Sequence, residues 1–349
     1  MPKKKPITMQ SCHYAHTEAI DVNAKDGGGD AWEGLINVCV SAAQDALETP
    51  PTGYTAIQRN SLFDIFGSMK VTQRAIRLLV RLGDTAPESV DALVLARLQL
   101  EGLYTVCLLI ESPNNVDRFV HEAWKRQYIR WMLNQRETET LPQFAADNDK
   151  DYERLMFMKG VWKVSDRQQE TITYYEQGIP NPPGFTPEVI GQFPTPRKVI
   201  DELPEGTTKR RMLERLYLEY QDLCAYAHGR PVAGFDKSIF DERSRIREEF
   251  IALHGEEHLR KHFQHSVVAP TQIYSFVSVA QAAAELTTLY PHNVELLAAV
   301  IKAWNALHGC HMLVNAIWNI HTRAMLGLLP PSQSSGSAGG QAPSPPAPK

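Results

Sequence analysis

The chain has 349 residues, 43% of them hydrophobic and 22% charged, with a formal net charge of −4. That length supports a large core in one big or two ordinary domains, and the slightly acidic balance excludes the overall basic footprint of a dedicated nucleic-acid binder while leaving room for local basic patches. The five cysteines, Cys12, Cys39, Cys107, Cys224 and Cys310, are scattered, odd in number and without a CxxC pair, which excludes a disulfide framework and suits free thiols in a reducing, cytoplasmic setting.

In chain order, residues 1–29 are polar and end in Lys25-Asp26-Gly27-Gly28-Gly29. They read as a flexible leader, and the basic start is followed by no apolar run that would make a signal peptide. From there helical periodicity dominates and strand alternation is scarce, so the expected fold is all-α, a single multi-helix bundle of about nine helices. They are expected at 30–48, 54–83, 87–111, 115–135, 148–175, 207–228, 238–264, 270–289 and 293–327. Pro50-Pro51, Pro87, Pro113, Pro142 and Gly229-Arg230-Pro231 punctuate them, by removing a donor or supplying a permissive turn. The stretch 178–204 holds seven prolines and is expected to be an irregular connection within one helical domain, 30–329. The end, 330–349, is Pro, Ser, Gly and Ala without a large apolar side chain, the composition of a disordered tail.

The helix 87–111 carries the sharpest signal. Between Ala92 and Ile110 its only charges are Arg97 and Glu101, four apart and so on one face, with Tyr104 a further turn along. A helix apolar all round is a core helix, and a charge in a core must be paired. The pair is therefore expected to be buried, and its charges and length argue against a membrane span. Arg97 would hold a phosphate or carboxylate with Glu101 orienting it or acting as a base; alternatively, the two tie helices together as an ion pair.

The helix at 115–135 interleaves Arg118, Lys125, Arg126 and Arg130 with Phe119, Trp124, Tyr128 and Trp131, and Lys209-Arg210-Arg211 with Arg215 opens another. Such a mixture can bind RNA phosphates and bases, or it is an amphipathic helix with its aromatics in the core and its cations in water. At the end of 207–228, Tyr217, Cys224 and His228 share a stripe with Tyr220 beside it. His228 stands in the last turn before Gly229, where the helix dipole favours imidazolium and burial among tyrosines would oppose it.

The R-x-x-x-E helix (Arg97 to Glu101) together with the Y-x-x-x-C-x-x-x-H-G helix end (Tyr220 to Gly229) resembles a bacterial all-helical family known only as a domain of unknown function, over roughly residues 55–265. More distantly it resembles the HEPN group of helical modules. The first resemblance implies a helical fold without an assigned activity. The second implies ribonuclease chemistry where an Arg stands four to six residues before the His; here Cys224, Leu223 and Asp222 hold those positions.

Two histidine patterns remain. His254, His258, His262 and His265 fall on one stripe, and His254-Gly-Glu-Glu257-His258 spells H-x-x-E-H, a zinc-hydrolase pattern if the helix runs through Gly255; a solvated polar face is the alternative. In the last helix His311 lies between Trp304 and Trp318 on the apolar side, so it is expected to be buried and able to complete a site with Arg97, Glu101, Tyr220 and His228. There is no P-loop, G-x-G-x-x-G or G-x-S-x-G. The expected function is a helical binding or interaction protein with an internal polar site at those residues, in bacterial stress or defence. The alternatives are a HEPN-like ribonuclease or phosphodiesterase using His228 and Arg97, and a zinc hydrolase at His254 and His258. No cofactor, resident metal or membrane is expected; RNA, a protein or a second copy of the chain is the expected partner.

Overall fold

The computed structural model describes residues 29–159, 165–178, 184, 193–228 and 237–328. The leader, the tail and most of the proline-rich connection lie outside the described residues. Among those described there is no strand, and the fold is all-α. The helices are α1 (Gly29–Ala46), α2 (Ala56–Val80), α3 (Asp91–Leu109), α4 (Pro113–Glu137), α5 (Ala145–Lys159), α6 (Asp166–Gln177), α7 (Pro196–Glu202), α8 (Thr208–Ala227), α9 (Arg245–His254), α10 (Glu256–Phe263), α11 (Ala269–Leu286), α12 (Val294–Leu307) and α13 (Met312–Ile317).

Local chemistry sets the starts. Thr55 opens α2 with a capping box: its hydroxyl accepts from the Gln58 amide while Gln58 Oε1 accepts from the Thr55 amide at 2.8 Å, so two otherwise orphaned donors are satisfied. Thr207 caps α8 and Asn293 caps α12 in the simpler manner. Packing then sets the arrangement. α3 is the central helix, laid against α11 and α2 and touched by α8, α4 and α7; α1 lies across α11 and α12. Leu93, Ala96, Leu100, Leu103 and Cys107 of α3, and α11 from Phe276 to Leu286, are fully buried or nearly so. At Gly102 a Cβ would stand 3.2 Å from Met69 Cγ, so the missing side chain is what lets α2 approach this closely. Cys39 and Cys107 are fully buried in this core.

The 23-residue segment Pro87–Leu109 is, by length and composition, apolar enough to cross a membrane, against the sequence expectation that it is too short and too charged. Its burial among α2, α8 and α11 accounts for that apolarity as a core helix.

The expectation of about nine helices is corrected in five places, the last of them the break of 293–327 after Leu307. The predicted 148–175 is two helices, α5 and α6. The predicted 238–264 is cut at Gly255, whose φ of +82° belongs to a region open to glycine and costly for other residues. Within the supposed irregular stretch, Thr195 and Pro196 start α7, with proline at the first helical position, where its missing N–H costs nothing. Pro270, read as a helix start, lies inside a continuous helix because the chain passes from α10 to α11 through a π-helical turn at Gln264–Val268, which re-routes the hydrogen-bond ladder around the proline.

A second, smaller core sits beside the first. Trp124, Tyr128 and Met132 of α4 meet Ile172 of α6, with stacked rings from Trp124 to Tyr128 (5.3 Å) and on to Trp131 (5.7 Å). The indoles are anchored by Trp124 Nε1 donating to Leu155 O and Trp131 Nε1 to Asn148 O.

Candidate functional site

α3 presents Arg97 and Glu101 toward α8, which supplies Tyr220. Arg97 donates to Glu101 Oε1 from Nε (3.0 Å) and Nη2 (2.8 Å), and the Tyr220 hydroxyl donates to the same oxygen at 2.8 Å. The guanidinium lies 5.7 Å from the centre of the Tyr220 ring, within cation–π range. Behind them Tyr104 donates to Leu213 O and meets Tyr220 edge-on. Sequence reasoning thus brought three of its five candidate residues together. It missed their exposure: the side chains of Arg97 and Glu101 are 22% and 31% exposed, so the pair sits at the edge of the core. The reason is positional, since α3 turns this face into the shallow junction with α8. Burial disfavours the Arg97 charge, but Tyr220 and Glu101 outweigh it and hold its pKa above the ordinary value. Burial also pushes the Tyr220 phenol up, helped by Cys224 and Glu101, so it is a donor at neutral pH and not a base.

The other two candidates stand elsewhere. His228 is the exposed C-cap of α8, and among the described residues no hydrogen bond, ion pair or ring contact joins it to Arg97, Glu101 or Tyr220. His311 is exposed as well, as the N-cap of α13, where its Nδ1 accepts from the Leu313 amide at 3.1 Å. The expected burial of His311 between Trp304 and Trp318 fails because the predicted helix 293–327 breaks after Leu307, which resets the face. Trp304 and Trp318 stack on each other, and His308 stacks on Trp318.

The buried histidine of this region is His321. It lies in a π-helical turn, Trp318–Thr322, a wide turn of the kind often found where side chains serve a special purpose. His321 Nε2 is 2.5 Å from Glu285 Oε1, and its Nδ1 is 2.8 Å from the Thr208 hydroxyl. Gln281 donates to the same Glu285 oxygen at 2.8 Å and accepts from Thr322 at 2.6 Å. Glu285 Oε2 sits 3.1 Å from Lys209 Nζ, off the hydrogen-bond direction, so charge and not a directional bond holds it. Lys209 also pairs with Glu111. Glu285 is fully buried; burial would raise its pKa, yet His321 and Lys209 override this and hold its carboxyl below the usual value. The order carboxylate, imidazole, hydroxyl resembles a nucleophile relay, but Lys209 neutralises the carboxylate that would have to stabilise an imidazolium. The cluster therefore works as a cross-link of α8, α11 and the turn after α13. The signal was available: Gln281 and Glu285 are four apart in Ala280-Gln-Ala-Ala-Ala-Glu285, the same spacing that singled out Arg97 and Glu101.

The basic and aromatic residues of α4 and α8 are spread over both cores and the surface. Of the α4 aromatics, Trp124, Tyr128 and Trp131 pack in the smaller core and Phe119 packs against the larger one, edge-on to Phe193; Lys125 is buried against Glu122 and Gln168, and Arg118, Arg210 and Arg215 pair with Glu202, Glu214 and Glu219. The zincin-like spelling is cut at Gly255. His254 and His258 still lie 5.2 Å apart, ring to ring, around Phe250, but among the described residues no group of three or more His, Cys, Asp or Glu is placed to hold a metal ion.

A scan against protein-family models finds no match to the chain. Searches of curated proteins and of solved structures find none either.

Proposed function

We infer that the chain is a helical binding or interaction module in which the polar clusters brace helices and do not turn over a substrate. The observation that carries this reading is the separation of the candidate groups: Glu101 Oε1 is held by Arg97 and Tyr220, while His228 and His311 stand as exposed caps at other helix ends, and among the described residues no imidazole bonds to Glu101. Acid–base turnover by these candidates needs an imidazole within hydrogen-bond reach of the group reacting beside Glu101. The pairing of Arg118, Lys125, Lys209, Arg210 and Arg215 with acidic or amide groups leaves Arg130 and Arg211 as exposed cations of that set, a sparse charge for phosphate binding, which favours a protein or small molecule over RNA.

The test is cleavage of a mixed-sequence RNA by the wild type and by His228→Ala. The binding reading expects background cleavage from both proteins, with little change in melting temperature because His228 is exposed. Cleavage by the wild type that disappears in His228→Ala at unchanged stability would instead establish the HEPN-like ribonuclease reading.

A further inference from the structure

A cavity of about 200 Å³ opens between α1, the π turn before α11, the start of α11 and the cap of α13. Its apolar wall is Ala269, Pro270 and Ile273, and its polar groups include Trp32, Gln264 and His311. Trp32 is 1% exposed, yet its indole N–H has no hydrogen-bond partner. The side-chain amide nitrogen of Gln264 is likewise buried and unpartnered. His311 uses Nδ1 to accept from Leu313, so the neutral ring carries its hydrogen on Nε2 as a third donor. Tyr274 also borders the cavity, but its hydroxyl is committed to Glu219 Oε2 at 2.7 Å, and that carboxylate is held in turn by Arg215. His265 and Gln272 complete the rim, so the lining holds no carboxylate, neutral amides, imidazoles that can donate, and an apolar wall.

Buried N–H groups without acceptors are rare in folded proteins, because each forfeits the water it left behind. Two such groups, on Trp32 and Gln264, together with the exposed His311, border one space from three separate elements, which suits a ligand with more than one acceptor site. A carboxylate has two oxygens with about four lone-pair directions, and hydrogen bonds to a charged acceptor are roughly twice as strong as neutral ones. The space suits a small apolar body, since a cavity of about 150 Å³ already admits benzene. The geometry points to a binding site for a small apolar carboxylate, the size of a single-ring aromatic acid, with its oxygens on Trp32, Gln264 and His311 and its body against Ala269, Pro270 and Ile273. The site is separate from the Arg97–Glu101 unit and stands whether or not the chain cleaves RNA.

Benzoate is the probe, with benzamide as its uncharged partner, followed by ligand-observed NMR titration of the full chain. The wild type is expected to bind benzoate saturably and at least about tenfold more tightly than benzamide, on the strength of hydrogen bonds to a charged acceptor. Trp32→Phe keeps an aromatic ring, though a smaller one, and removes the N–H, so benzoate affinity should fall about tenfold, the loss of one hydrogen bond to a charged acceptor. Gln264→Leu, at a half-buried position, should weaken binding similarly and serves if the tryptophan variant does not fold. Ala269→Leu fills the space and should abolish binding at unchanged helical content. Absence of saturable benzoate binding by the wild type, equal affinity for benzamide, or affinities unchanged in the variants that fold would overturn the proposal.

Discussion

The worth of a charged side chain in this protein depends on how much water it keeps. Arg97 and Glu101 retain 22% and 31% of their side-chain exposure, so their attraction is screened, and a partly exposed pair with a cation–π neighbour contributes about 1 kcal/mol. Arg97→Ala should lower the unfolding free energy by that amount, read from the denaturant midpoint at unchanged slope; a loss several times larger would mean the pair is sealed when the protein is in solution. Glu285 is the opposite case. Lys209→Met removes the cation facing Oε2 of a fully buried carboxylate and leaves it only His321 and Gln281; breaking a buried pair costs on the order of 3–5 kcal/mol, so its midpoint should move far more than that of Arg97→Ala. The sign of the pH effect follows from the depressed Glu285 pKa: its contribution is complete above the unfolded carboxylate value of about 4.3 and is lost as the pH falls through the lower folded value. The wild-type melting temperature should therefore drop on acidification below pH ~4, and Glu285→Gln should flatten that part of the curve.

At the scale of elements, the legible features were those encoded within a few residues. The apolar girth of α3, the Arg97–Glu101 spacing and most proline-marked breaks are local, and the structure follows them. The histidines were misplaced because their faces depend on what happens to the helix before them. A break after Leu307 and a π turn at Trp318 each rotate the register, so His311 comes out to solvent and His321 goes in. No periodicity count across 293–327 contains that information. Gly255 is a place where one residue governs an element: its φ of +82° makes Gly255→Ala destabilising by about 1–3 kcal/mol, although a Cβ there would meet nothing. Gly309→Ala, also in open space but without positive φ, should leave the melting temperature nearly unchanged, and equal effects of the two would contradict the strain argument.

The molecule as a whole has two cores of unequal size, the larger around α3 and α11 and the smaller where α4 meets α5 and α6. Stability in such an arrangement is not uniform, and the part with fewer buried apolar contacts opens first. Trp131→Ala removes a ring stacked on Tyr128 and tilted against Tyr152, together with its bond to Asn148. Native-state hydrogen exchange should then quicken for amides of α4, α5 and α6 while α3 and α11 keep wild-type protection; uniform acceleration would show that the two cores open together.

The thiols at the centre of the larger core lend themselves to a chemical clock. Burial pushes Cys39 up to about 12 and Cys107 well above its ordinary value, and alkylation requires an accessible thiolate. Cys224 is only half-buried and should be carboxymethylated within the native state. Cys39 and Cys107, on α1 and α3, can take the label only after those helices part from their neighbours. The delay between the first adduct and the later ones, followed by mass spectrometry, is then the waiting time for the core to come apart, recorded without denaturant and without a foreign dye.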